Sequence, residues 1–146
     1  MRRCDNCFKE IANKKATCTC GFNNSQIKTV PGGIKPGRTI EERYYIGSVL
    51  GQGGFGITYK GFDLDLDRVI AIKEYYPKNS VERGKDGLSV EPSDKNEFKK
   101  GLNYFTDEAK ALAKFQGHPN IVSVQNYFRS NNTSYMVMEF MEGRTV

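Results

Sequence analysis

Long apolar runs are missing from this sequence. Nothing approaches the roughly 20 residues that a membrane-crossing helix needs. The basic start Met1–Arg2–Arg3 leads into no apolar stretch of the signal-peptide kind, so a cytoplasmic location is the default expectation. Histidine occurs once, at position 118, far from every cysteine, which argues against a mixed Cys–His catalytic metal site. Tryptophan is absent, although aromatics make up 12% of the residues. Lys and Arg exceed Asp and Glu to give a net charge of +5, yet no dense basic run and no basic–aromatic cluster occurs. The usual footprint of nucleic-acid binding is therefore missing. With 38% hydrophobic and 27% charged residues over 146 positions, the composition fits a soluble, folded domain plus a small appendage.

The four cysteines all fall in the first 20 residues, as Cys4-x-x-Cys7 and Cys18-x-Cys20 followed by Gly21. Two close pairs about ten residues apart are what a zinc ribbon needs, each pair supplying two thiolates to a tetrahedron. So short a segment cannot build its own core, and a metal has to stand in for one. The second pair is one residue shorter than the usual knuckle, which tightens its turn. Free or disulfide-bonded thiols are the alternative; in a reducing compartment the metal is expected. Four thiolates leave no open coordination position, so the segment 1–22 reads as structural or docking rather than catalytic. Thiolate ligation would lower the effective net charge to about +3.

Residues 23–43 are rich in Asn, Gly, Lys and Pro, with Pro31, Gly32, Gly33, Pro36 and Gly37, and read as a linker or extended strap. Strand patterns follow at Tyr44–Leu50, Ile57–Phe62 and the apolar run Val69–Tyr75, which Pro77 ends. A long polar connection over 78–93 carries at most a small strand at Leu88–Val90. A helix then opens at Ser93 or Asp94, with Glu97 completing a capping box. Phe98, Leu102, Phe105, Ala109 and Leu112 form its apolar stripe, while Lys99, Lys100, Lys110 and Lys114 lie off it. Gly117 and Pro119 are expected to stop it. Two more strands, Ile121–Phe128 and Ser134–Phe140, flank the turn Ser130–Asn131–Asn132. The order β-β-β-α-β-β gives an α+β class: a five-stranded antiparallel sheet with one packed helix.

Between the first two strands, Gly51, Gly53 and Gly56 make a G-x-G-x-x-G spacing that alone is weak evidence. A dinucleotide fold needs a helix directly after the glycines. Here Ile57, Thr58, Tyr59, Lys60, Gly61 and Phe62 follow, β-branched and aromatic, so the glycines belong to a hairpin. Lys73 comes 17 residues after Gly56, near the end of an apolar strand. Glu108 stands at the edge of the helical stripe, expected to face the sheet. An ion pair between them and two snorkelling side chains are both open on this pattern alone. A lysine beneath a glycine hairpin and a carboxylate to orient it is the arrangement phosphoryl transfer uses.

Taken together, these pieces resemble the N-terminal lobe of a bacterial, clostridial-type, eukaryotic-like serine/threonine protein kinase preceded by a zinc ribbon. The matching residues are Leu50-Gly51-x-Gly53-x-Phe55-Gly56, Ile70-Ala71-Ile72-Lys73, Glu108 with Leu112, His118-Pro119-Asn120-Ile121-Val122 and Tyr135-Met136-Val137-Met138-Glu139-Phe140-Met141-Glu142-Gly143, in the family's order over about 44–146. The resemblance implies that Gly51, Gly53, Gly54 and Gly56 cover the ATP phosphates with Phe55 at the tip. Lys73 would contact the phosphates and Glu108 would hold it. Leu50, Thr58 and Ala71 would line the adenine pocket, Met138 would be the gatekeeper, and Glu139 and Met141 the hinge. Cys4, Cys7, Cys18 and Cys20 would hold zinc, and His118 would be structural. Two departures stand out: Thr58 replaces the usual valine, and Gly117 is one residue extra after the helix.

The 146 residues contain no H-R-D catalytic loop and no D-F-G segment, so a proton acceptor and a magnesium ligand are not among them. ATP is the expected ligand, magnesium and a protein substrate requiring the complete kinase. The expectation is a front piece of a longer kinase, inactive by itself. The alternative is a stand-alone, non-catalytic nucleotide- or partner-binding module.

Overall fold

The polypeptide alternates strand and turn almost throughout and then commits one long segment to helix. The computed structural model describes residues 2–12, 17–114 and 123–140. Near the N-terminus, β1 (Arg2–Arg3) and β2 (Glu10–Ile11) pair as a minimal hairpin. A single 3-10 turn at Asn24–Gln26 follows, capped by the Asn23 side chain. The main sheet takes β3 (Thr39–Ile40), β4 (Tyr44–Gln52), β5 (Gly56–Asp63) and β6 (Arg68–Tyr75). After a small hairpin, β7 (Val81–Arg83) with β8 (Val90–Pro92), comes α1 (Lys95–Ala113). The strands β9 (Val124–Ser130) and β10 (Thr133–Glu139) complete the antiparallel sheet in the order β3-β4-β5-β6-β10-β9.

The five expected strands are thus present, and β3 adds a two-residue edge beside β4. The strap that carries β3 runs along the sheet. The Val49 N–H donates to the Lys28 carbonyl at 2.8 Å, Gly37 to Ile46 at 2.9 Å and Ile46 to Arg38 at 2.8 Å. Ile34 and Ile40 are buried, which a solvated linker would not show. The small strand foreseen at Leu88–Val90 lies slightly later, at Val90–Pro92, and it pairs with Val81–Arg83. The strand foreseen from Ile121 is placed at Val124–Ser130, residues 121 and 122 lying outside the described segments. Its turn uses Asn131 and Asn132 at φ 53° and 63°, the left-handed pair a tight two-residue hairpin demands.

Strand alternation divides the side chains between two faces. Ile57, Tyr59, Ile70, Ile72, Glu74, Tyr135 and Val137 share one face through the registers Ile57↔Glu74, Tyr59↔Ile72, Tyr135↔Glu74 and Val137↔Ile72. The sheet curls around it far enough for the Tyr44 ring to stack on Phe128, four strands away, at 5.5 Å. Thr58, Ala71, Lys73, Tyr75, Met136 and Met138 share the other face, and Tyr75 packs there between Phe98 and Phe105 of α1 at 5.2 and 5.8 Å.

The helix follows its sequence signals. The Asp94 side chain accepts from the N–H of Asn96 and Glu97, and Phe98, Phe105 and Ala109 are buried, with Leu102 and Leu112 half-buried beside them. Gly101, unfavourable inside a helix by about 1 kcal/mol, is explained by Tyr75: a Cβ there would collide with the tyrosine hydroxyl. The described residues contain no helix long and apolar enough to cross a membrane.

Candidate functional site

The glycine hairpin is built by β4 and β5, whose register sets Gly51 opposite Thr58 and Gln52 opposite Ile57, and the Gly53 N–H closes the turn on the Gly56 carbonyl at 2.9 Å. The glycines differ in what they need. A Cβ at Gly56 would sit 2.7 Å from the Glu74 carbonyl oxygen, a clash with backbone that cannot yield. A Cβ at Gly51, Gly53 or Gly54 would meet nothing within 4 Å. The protein's own packing therefore accounts for Gly56 and leaves the other three facing open space. Phe55 at the tip is 76% exposed, a large apolar side chain standing in solvent.

Beneath the hairpin, Thr58, Lys73 and Met136 lie in one cross-strand row, and Lys60, Ala71 and Met138 in the next. Lys73 is half-buried, and its Cε would lie 3.6 Å from a Cβ on Gly56, so its stem passes under the last glycine. Leu50 is exposed at the end of the same hairpin, Ala71 is buried and Met138 is half-buried. Glu139 ends β10 opposite Ile70, with its N–H held by the Ser123 carbonyl at 3.1 Å. Met141, His118 and Gly117 lie outside the described residues.

Glu108 departs from expectation. It is exposed, and among the described residues neither it nor Lys73 takes part in an ion pair. The buried line of α1 runs through Phe98, Phe105 and Ala109. At 3.6 residues per turn Glu108 lies about 100° from Ala109, on the flank of the stripe rather than on it. The packing of Tyr75 against Phe98 and Phe105 fixes that rotation.

A carboxylate does lie in the core at Glu74, beside Lys73 but on the other face and fully buried. It accepts from the Tyr59 and Tyr135 hydroxyls, each at 2.9 Å, and from Arg83 Nη1 and Nη2 at 2.8 and 2.6 Å. Arg83 also donates to the carbonyls of Gly32 and Leu88 at 2.8 Å and lies over the Tyr76 ring at 4.6 Å. It thereby joins the sheet, the strap and the β7–β8 hairpin. Burial, reinforced by the neighbouring Glu74 charge, pushes the Tyr59 and Tyr135 hydroxyls well above the ordinary tyrosine range. Sequence reading missed this network. Its one signal was a carboxylate in a central strand, which requires a partner.

At the other end of the chain the four cysteines converge. All four sulfurs lie within 4.8 Å of one another, with Cys4 to Cys20 at 3.7 Å and Cys7 to Cys18 at 3.6 Å. A zinc ion with four bonds of about 2.3 Å would set sulfurs about 3.8 Å apart along each tetrahedral edge. The shorter second pair therefore does not prevent a metal geometry. The Asn6 N–H points to Cys4 Sγ at 3.4 Å, and the N–H of Phe22 leads the interactions that draw the Cys20 thiol down to about 6. Burial drives the Cys7 thiol up to about 11. No disulfide joins the four cysteines.

Comparison with known proteins agrees with the geometry. The family described as "Protein kinase domain" matches residues 44–146. Serine/threonine-protein kinase PrkC of Bacillus subtilis (strain 168) is 34% identical over 110 residues, covering 75% of this chain and 14% of PrkC. Serine/threonine-protein kinase B of Synechocystis sp. is 26% identical over 109 residues, covering 73% and 17%. Among solved structures, the apo form of PpkA-294 superimposes with a TM-score of 0.70 at 36% identity, covering 78% of this chain and 41% of that one. The chain thus spans less than a fifth of either curated relative. A curled antiparallel sheet with one helix, a glycine hairpin above a strand lysine, and this match across 44–146 place the chain in the protein kinase family.

Proposed function

We propose that residues 44–146 form the ATP-binding lobe of a serine/threonine protein kinase, transferring phosphate to protein hydroxyls once the rest of a kinase domain completes the site. The observation that carries this reading is the placement of Lys73 beneath Gly56, in one row with Thr58 and Met136, under glycines 51, 53 and 54 that the protein's own packing does not require. Room above those glycines suits close approach of backbone N–H groups to phosphate oxygens. Phosphoryl transfer has little covalent work for the protein to do, so positioning and charge stabilisation dominate.

In this reading the backbones of Gly51, Gly53, Gly54 and Gly56 cover the phosphates, Phe55 shields them from water, and the Lys73 ammonium pairs with their oxygens. Leu50, Thr58, Ala71 and Met138 supply the apolar slot for the base, and the backbones of Glu139 and Met141 read its edge. Glu108 is the residue that would orient Lys73. Its exposed position makes this an arrangement in which the pair is still to be formed, the step that helix positioning controls in kinases. Magnesium would be held by groups outside these residues and would neutralise charge on the phosphates. We further propose that residues 1–22 are a zinc knuckle held by Cys4, Cys7, Cys18 and Cys20, that 23–43 serve as its strap to the lobe, and that the protein is cytoplasmic.

Titration of the chain with a fluorescent ATP analogue tests the reading. Lys73→Ala should weaken binding at least about tenfold, the loss of one charge-assisted contact, with the circular dichroism spectrum unchanged. Equal affinity for the variant and the parent would remove Lys73 from the site.

A further inference from the structure

The cysteine knuckle is bolted to the strand that carries the glycine loop. The Asp5 carboxylate, between Cys4 and Cys7 in sequence and buried, accepts the Ser48 N–H at 2.6 Å and the Ser48 hydroxyl at 2.7 Å. The Asp5 N–H in turn donates to the Asn24 side chain at 2.7 Å. Position 47 admits only glycine beside it, since a Cβ there would collide with Asp5 Oδ1 and lie 2.9 Å from the Lys60 carbonyl. Ser48 precedes Leu50 and Gly51 by two and three residues. It sits in the stretch of β4 where the ladder to β5 is irregular, with register shifts between Ile46 and Val49 and between Val49 and Gly51. The root of the glycine loop is thus held least by its own ladder where Asp5 holds it most.

A second contact reaches the opposite rim of the proposed base slot. Phe8, at a left-handed φ of 59°, lays its ring on Phe62 at 5.3 Å and meets Tyr45 edge-on at 6.1 Å. The Lys60 ammonium lies 5.7 Å from the Phe8 ring and 5.2 Å from the Phe140 ring, bridging the knuckle to the residue after β10. Lys60 occupies the same cross-strand row as Ala71 and Met138. The Arg3 N–H adds a bond to the Tyr45 hydroxyl at 3.0 Å.

From these contacts, and resting on the metal and nucleotide readings above, we infer that Asp5 is a positioning residue for the nucleotide site. Metal loading of the four cysteines fixes Asp5, Asp5 fixes Ser48, and Ser48 sets the base of the glycine loop. Metal and nucleotide then bind with positive coupling, and by thermodynamic reciprocity saturating nucleotide tightens metal binding by the same factor.

The test uses the 146-residue chain with three readouts: zinc content, affinity for a fluorescent ATP analogue, and amide hydrogen exchange across 48–56. Stripping zinc with a chelator under reducing conditions should weaken nucleotide binding about tenfold, within the usual range for coupled sites, and added zinc should restore it. Zinc-loaded Asp5→Ala should show the same weakening and faster exchange at 48–56. Asp5→Asn, which keeps an acceptor for the Ser48 N–H, should recover most of the loss. Adding Ser48→Ala to Asp5→Ala should change nothing further, because both act through one contact. Zinc-loaded Asp5→Ala with affinity within about twofold of the parent and unchanged exchange would overturn the inference. Should stripped protein unfold, zinc-loaded Asp5→Ala still decides it. A parent chain that binds no nucleotide would instead sink the ATP-binding reading, and exchange at 48–56 would then judge the positioning role alone.

Discussion

Removing Arg83 should unfold this lobe more readily than removing any surface charge. Its guanidinium makes two bonds to Glu74 at 2.8 and 2.6 Å and two to backbone carbonyls, with only 10% of its side chain exposed and none of Glu74's. Arg83→Met keeps much of the aliphatic stem but removes the guanidinium that lies over Tyr76, and it leaves a buried carboxylate supported by two tyrosine hydroxyls alone. Breaking such a pair from one side costs about 3–5 kcal/mol. For a domain whose whole stability is of order 5–15 kcal/mol that is a large share, and melting should fall by roughly 10–20 °C. Urea unfolding of Arg83→Met against Glu74→Gln/Arg83→Met separates charge from packing. The glutamine keeps a carbonyl for Tyr59 and Tyr135 while removing the stranded charge, so the double variant should regain about 1–2 kcal/mol. A double variant no more stable than Arg83→Met would refute the argument, as would an Arg83→Met cost below about 1 kcal/mol, the level of an exposed pair.

The glycines should separate by assay: Gly56→Ala should lose stability, because its Cβ has no room against the Glu74 carbonyl, whereas Gly51→Ala should melt with the parent and lose nucleotide affinity instead. Stability should fall as pH rises above about 10. Tyr59 and Tyr135 are held above their ordinary range when folded, so unfolding releases their protons first, and Tyr135→Phe should flatten the alkaline limb of a pH–stability curve. On the acid side, burial alone would raise the Asp63 carboxyl, but the Arg43 guanidinium and the Asp65 and Leu66 N–H groups outweigh it and hold it below the carboxylate range. Its contribution is present above about pH 4 and lost progressively as pH falls below that, so Asp63→Asn should destabilise the chain at pH 7 and by less and less as the solution is acidified below about pH 4. Metal analysis of reduced protein should find about one zinc per chain, the stoichiometry of a four-thiolate site; none would rule out the knuckle.

Local signals carried the fold far. The Asp94 cap, the stripe through Phe98, Phe105 and Ala109, the break at Pro77 and the Asn131–Asn132 turn each act within a few residues, and each reappears where the sequence pattern predicts it. What stayed hidden depends on partners far apart in the chain. Asp5 meets Ser48 across 43 positions, Tyr135 meets Glu74 across 61, and Arg83 comes from a polar connection with no pattern of its own. Helical periodicity located Glu108 at the edge of the stripe, and an edge position is decided by a rotation of tens of degrees that only the packing of Tyr75 specifies. The strap was legible as glycine- and proline-rich, yet the burial of Ile34 and Ile40 depends on a sheet face that composition does not show.

The neighbours Lys73 and Glu74 bring these strands of reasoning together. They occupy opposite faces of β6, so a one-residue slip of that strand would exchange them, putting the ammonium into the core and the carboxylate under the glycine hairpin. Apolar residues alone resist such a slip only through shape, because Ile70 and Ile72 alternate with Ala71, itself compatible with burial. Glu74 resists it through charge: four donors from Tyr59, Tyr135 and Arg83 converge on its two oxygens, and no other position on β6 can satisfy them. The buried ion pair therefore serves the lysine on the far side of the strand, pinning the register that delivers Lys73 beneath Gly56. In the nucleotide reading proposed above, stability and phosphate recognition are coupled through a single peptide unit, with the Glu74 charge fully paired in the core and Lys73 meeting the phosphates on the other face.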